Sequence, residues 1–191
     1  MKITEGCFEA TGHTSIICDF SPPRSGDSAV VTQAQIDADF ILVAYNPGRA
    51  VRTNSAMLAA AIQQSGKDAV FTLATRDMNK LAVQSLLLGA QLLGLQNVVV
   101  VQGDLFGEQD QARVATVNDY HSTGLISAIV QMNQGQDFKE AKLRAPSDFC
   151  IGGAVDLGRG IEEEAQLAVR KVQAGAEFLI TQPIFDVDHV A

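Results

Sequence analysis

Six short apolar runs recur along the chain, separated by stretches with helical spacing, and that alternation restricts the fold more than any single motif. The runs are SIICDF (15–20), FILVAYNP (40–47), AVFTLATRD (69–77), NVVVVQGD (97–104), FCIGGAVD (149–156) and EFLITQPIFD (177–186). Their apolar character is continuous rather than alternating, the pattern of strands covered on both faces, as in parallel sheets. The segments between them read as helices. Residues 53–65 follow a Thr/Asn start and stop at Gly66; residues 79–93 carry Leu81, Leu88 and Leu92 and stop at Gly94. Residues 119–133 include Leu125, Ile126, Ile129 and Met132. Residues 161–174 open with Glu162, Glu163 and Glu164 and close with Arg170 and Lys171, the charge order that suits the helix macrodipole. The connection at 28–38 carries a weaker signal. Alternation of this kind predicts an α/β fold, either a doubly wound sheet or a TIM barrel.

Two observations favour the barrel. No GxGxxG follows the first strand, and the GRG at 158–160 has neither dinucleotide nor P-loop spacing. Polar residues gather instead at the carboxyl ends of the strands: Asp19, Asn46, Arg76, Asp77, Asp104, Asp156 and Gln182. Barrel enzymes build their sites on that face. A complete barrel takes eight strands and about 250 residues, whereas this chain offers six in 191. The expectation is an incomplete TIM-type barrel of about six parallel βα units, forming one domain over residues 1–191.

Composition narrows the function. The 14 basic against 22 acidic residues, a net charge of −8, argue against a general nucleic-acid surface. A local Arg/Lys pair can still hold an anion. The start, MKITEGCFEA, lacks a signal peptide's basic segment and apolar run, and no apolar run is long enough for a bilayer. A cytoplasmic protein with no membrane partner is expected. Cys7, Cys18 and Cys150 form no CxxC and read as reduced thiols. His13, His121 and His189 lack metal-ligand spacing, so no metal site is expected, and no nucleophile elbow is present.

The strand ends leave alternatives open. Asp19, beside SPPR, reads either as a carboxyl whose pKa is raised by burial, able to give a proton, or as a turn cap. Asp104 is a loop cap or a carboxylate facing a ligand, with Gly103 permitting close backbone approach. The Gln182 amide offers a donor and an acceptor to a heterocycle, or is a satisfied internal glutamine. Arg170 and Lys171 bind a phosphate or simply close a helix. Glu162 to Glu164 read as a solvated first turn.

ICDFSPPR, AYNPGRAVRTNS, RDMNKLAVQSLLLGAQLLGLQNVVVVQGD and KVQAGAEFLITQPIFD occur in this order and together resemble the methylenetetrahydrofolate reductase family of flavin-dependent TIM barrels. The likeness runs from about residue 14 to 188 and is strongest to the branch with NP and R.S after the second strand. The resemblance implies reduction of 5,10-methylenetetrahydrofolate to 5-methyltetrahydrofolate by NAD(P)H through FAD. The alternative is a folate- or flavin-binding accessory protein without redox catalysis. It also implies two further βα units after Ala191, and a homo-oligomer or partner covering the open edges of the first and sixth strands.

Carried over residue by residue, the resemblance makes Asp19 the catalytic acid, in place of the family glutamate, and sets Asp104 near flavin and pterin. Gln182 becomes a folate contact, with Arg170 and Lys171 by the FAD phosphates and ribose. Glu164 is an acidic contact on the same helix and Ala154 a backbone contact. Gln102, Thr72 and Ala44 depart from the family's common residues, arginine at the first, histidine or glutamine at the second and threonine or aspartate at the third.

Overall fold

The computed structural model describes residues 1–9 and 14–183. In chain order the elements are α1 (Ile3–Glu9), β1 (Ile17–Phe20), α2 (Val30–Gln33), β2 (Phe40–Val43), α3 (Ser55–Gln64), β3 (Asp68–Ala74), α4 (Lys80–Leu92), β4 (Asn97–Val101), α5 (Glu108–Gln111), α6 (Ser122–Asn133), β5 (Cys150–Val155), α7 (Ile161–Gln173) and β6 (Phe178–Thr181). All six sequence-derived strands are present. The expected sixth strand ran on to Asp186, and its residues 184–186 lie outside the described residues. No described helix is long and apolar enough to cross a membrane.

The strands form one parallel sheet in the order β1-β2-β3-β4-β5-β6. A doubly wound sheet reverses its strand order partway across. Here every βα unit adds the next strand on the same side, and right-handed crossovers then turn the sheet one way. The result is a curled half-barrel, an incomplete TIM-type barrel with helices outside.

The register separates two sets of side chains. Ile17 pairs with Phe40, Val70 with Asn97, Asn97 with Cys150 and Gly152 with Phe178. Alternation from these pairs puts Ile17, Phe40, Leu42, Val70, Val99, Val101, Cys150, Phe178 and Ile180 on the concave face, where with Ile3 they form the inner core. The outer core joins Ile41, Phe71, Leu73, Val98, Val100 and Ile151 to the helices, through residues such as Ile62, Leu87, Leu125 and Ile129. Gly152 leaves room inside the barrel, because a Cβ there would collide with the Phe178 ring.

Helix α1 closes the amino-terminal end of the half-barrel. Ile3 enters the inner core. The buried Asn97 amide accepts from the Ile3 N–H at 2.9 Å and donates to the Met1 carbonyl at 2.9 Å. Helices α3 and α4 begin where the sequence indicates, capped by the Asn54 and Asn79 side chains. The leucines that signal α4 face outward: Leu81 is 66 % and Leu92 86 % exposed, while Val83, Leu87 and Ala90 are buried. Spacing identified the helix but not its buried face.

Helix α7 turns into β6 at Gly175, whose φ of +113° suits glycine and whose Cβ would collide with Val130 Cγ2. Gly175→Ala is expected to cost about 2–4 kcal/mol from backbone strain and overpacking. Thermal unfolding should show this as a drop of about 5–15 °C in Tm.

Candidate functional site

The carboxyl ends of the strands surround a cavity of about 1320 Å³. Leu42, Val99, Val101 and Ile180 give it an apolar lining, continuous with the inner core. Around them stand polar groups from every strand end, and all seven residues singled out by sequence line this cavity: Asp19, Asp104, Ala154, Glu164, Arg170, Lys171 and Gln182.

Asp19 lies on β1 opposite Leu42 on the concave face. It stays open to the cavity, yet partial burial raises its carboxyl pKa above the ordinary value and so favours the protonated form. Phe178, Ile180 and Gln182 follow one another on one face of β6 by strand alternation. The Gln182 N–H extends the ladder to the Val155 carbonyl at 2.9 Å, leaving its side chain at the mouth.

Asp104 is exposed and three residues past β4. Its loop lies flat on β3 through Gly103, with φ +85°, where an added Cβ would sit 3.1 Å from Arg76 Cβ and 3.3 Å from Ala74 Cβ. Arg76, 5 % exposed, fixes the same loop. Its Nη1 donates to the Asp104 carbonyl at 2.7 Å, and its guanidinium stacks 4.1 Å over Phe106. The rest of the fork grips Asp77, Nε to Oδ1 at 2.6 Å and Nη2 to Oδ2 at 2.8 Å. Burial alone would raise the Asp77 pKa, but hydrogen bonds from Arg76 and Tyr45, with the Arg76 charge, hold it below the usual carboxylate value. Burial first, then the Asp77 charge, push the Tyr45 phenol above its ordinary pKa.

On α7 the three glutamates do not form one solvated turn. Glu162 and Glu163 are exposed, while Glu164 is 6 % exposed and its Oε2 accepts the Asp156 N–H at 3.2 Å. Two turns on, Lys171 is 5 % exposed and its Nζ donates to the Ala154 carbonyl. These two buried charges anchor α7 against the end of β5. Arg170, next to Lys171, is exposed on the cavity wall.

The sequence reading noted Arg76 and Asp77 as strand-end polar residues but gave them no role, and it missed Tyr45. The adjacent Arg-Asp pair after an apolar strand was the available signal. His121, Ser122 and Thr123, at the start of α6, also line the cavity. Residues just before a helix in a βα unit could have been added on position alone.

Parallel βα units with an apolar, polar-rimmed cavity at their carboxyl ends define an incomplete TIM-type barrel. Residues 6–191 match the sequence profile of the methylenetetrahydrofolate reductase family, and the chain belongs to that family. It is similar in fold to an uncharacterized protein from Clostridium thermocellum, described as binding two copies of 5-methyl-5,6,7,8-tetrahydrofolic acid. The two share 13 % identity with a TM-score of 0.61, over 93 % of this chain and 58 % of that one. This chain thus spans a little over half the length of that protein.

Proposed function

We propose that the cavity binds a reduced folate beside a flavin and that the chain takes part in FAD-dependent reduction of 5,10-methylenetetrahydrofolate to 5-methyltetrahydrofolate, with NAD(P)H as electron source. The observation that carries this reading is the meeting of Asp19, Asp104, Gln182 and Arg170 around one apolar-lined cavity.

The lining fits a flavin on two counts. The volume of about 1320 Å³ exceeds the ~300–1,000 Å³ of single-ligand pockets, so two ring systems have room. The Leu42, Val99, Val101 and Ile180 side chains give an apolar wall against which planar rings can pack. When bound, FAD supplies hydride transfer from NAD(P)H to the one-carbon unit.

The chain's own groups account for the rest. Asp19, its pKa raised by partial burial, delivers a proton to N10 of the folate as the C–N bond of the five-membered ring breaks. Asp104 accepts hydrogen bonds from the pterin, and the Gln182 amide pairs with its donor–acceptor edge. Arg170 would hold the anionic end of the cofactor. Glu164, Lys171 and Ala154 brace that wall through the bonds between α7 and the end of β5.

A second reading, a folate-binding accessory protein, is favoured by Lys171. The ammonium that the family resemblance assigns to the cofactor is buried and donates to the Ala154 carbonyl. One titration separates the two. With FAD added, the reductase reading expects a bound flavin band near ~450 nm that NADH or NADPH bleaches and methylenetetrahydrofolate restores. Binding of 5-methyltetrahydrofolate without any flavin band selects the accessory reading. Failure to bind either ligand removes both.

A further inference from the structure

A smaller cavity of about 370 Å³ lies between the loops that follow β1 and β2, lined by Arg24, Ser25, Gly26, Val51, Arg52 and Thr53. None of these lines the larger cavity. Two of the six carry guanidinium groups and none is acidic, in a chain whose net charge is −8.

The walls are tied together. Thr53 N–H donates to the Pro23 carbonyl at 2.9 Å, Thr53 Oγ1 reaches the Pro23 and Ser25 carbonyls, and Arg52 Nη1 donates to the Pro22 carbonyl at 3.1 Å. Pro22 and Pro23 stiffen the first loop, and Asn54, next to Thr53, caps α3. Arg52 is thus held by one end of its fork. Its Nε is buried and has no hydrogen-bond partner among the described residues. Among the described residues neither Arg24 nor Arg52 forms an ion pair. The nearby Asp27 carboxylate accepts instead from the Ala29 N–H at 3.0 Å.

A buried donor on a charged group is rarely left unmet, because removing it from water without a replacement acceptor is costly. The acceptor that suits two guanidiniums beside the Ser25 hydroxyl is an oxyanion, which takes paired N–H bonds from an arginine fork. We propose that this cavity is an oxyanion subsite, receiving a carboxylate or phosphate group of a small-molecule ligand. It opens among the loops at the carboxyl ends of β1 and β2, the end of the sheet that carries the larger cavity. A folate's glutamyl tail is one source of carboxylates there, and this part of the inference rests on the proposed function. A phosphate-bearing ligand is the other source and does not depend on it.

Calorimetric titration of the full chain tests the subsite with three probes: inorganic phosphate, 5-methyltetrahydrofolate monoglutamate and its tri-γ-glutamate. Phosphate is expected to bind saturably, and Arg24→Gln and Arg52→Lys should each weaken it about tenfold or more. Arg24 is exposed, so its glutamine variant keeps the fold even if Arg52→Lys loosens the loops. A triglutamate that binds about tenfold tighter than the monoglutamate, with the advantage lost in both variants, identifies the glutamyl tail. Phosphate binding lost in the variants without any effect of tail length identifies a phosphate-bearing ligand. Phosphate and triglutamate affinities that are absent, or unchanged in Arg24→Gln, overturn the subsite. Absence of folate binding alone counts against the proposed function and leaves the phosphate arm to decide.

Discussion

On the proposed reductase reading, Asp19→Asn is expected to leave the bleaching of bound flavin by NAD(P)H within about twofold of the unaltered chain, and to slow recolouring by methylenetetrahydrofolate about 10²–10⁴-fold, the usual contribution of a positioned general acid. The substitution keeps the shape of the side chain and removes its transferable proton. Opening the folate ring needs that proton; taking electrons from nicotinamide does not. The two half-reactions therefore separate, and stopped-flow absorbance reads each one alone. The pH dependence has a definite sign. Burial raises the Asp19 pKa, so recolouring should slow as pH rises through that value and the carboxyl loses its proton. The asparagine variant should be flat over the same range. Equal slowing of both halves would assign Asp19 to binding the flavin instead.

Asp19→Glu supplies the conservative control. The family resemblance places a glutamate here, one methylene longer, and a misplacement of about 1 Å can cost roughly a hundredfold in rate. The glutamate variant should recolour at least as fast as the native chain while keeping the pH dependence. A rate as low as that of the asparagine variant would mean that carboxylate reach is not what matters at this strand end.

The architecture was legible because buried parallel strands leave an unmistakable trace, continuous apolar runs such as FILV and NVVVV that tolerate no polar alternation. The position of the cavity followed from the same pattern, since the residues ending those runs must emerge at one end of the sheet. What escaped depends on facing and on distant partners. Spacing marks Leu81, Leu88 and Leu92 as helical but cannot say that α4 turns them to solvent and buries Gln84 beside Val83 and Leu87. Glu162, Glu163 and Glu164 look alike in sequence. They differ because a helix rotates each by about 100°, which brings only Glu164 over the end of β5. Helix α1 carries no apolar stripe to announce it. Its role depends on Asn97, more than 90 residues away.

Breaking the Arg76–Asp77 pair is expected to have the largest effect on stability of any change near the site. Arg76→Met removes a guanidinium that is 5 % exposed, leaves the Asp77 carboxylate to its Tyr45 hydrogen bond and releases the Asp104 carbonyl. Loss of one partner from a buried pair costs about 3–5 kcal/mol. The partial exposure of Asp77 puts the expected value at the lower end of that range. Urea titration at neutral pH reads the loss directly. Acid supplies the second readout. Because its partners hold the folded-state Asp77 pKa below the ordinary value, the pair's contribution is complete above about pH 4 and fades as pH falls through the lowered pKa. The native chain should therefore lose stability on acidification where Asp77→Asn, already lacking the charge, changes less. The same arginine holds the loop that carries Asp104, so both variants should bind 5-methyltetrahydrofolate more weakly, even under conditions where they remain folded. Full stability together with weakened binding would confine the pair to positioning Asp104. Lost stability with unchanged binding would make it a structural clamp on β3 and nothing more.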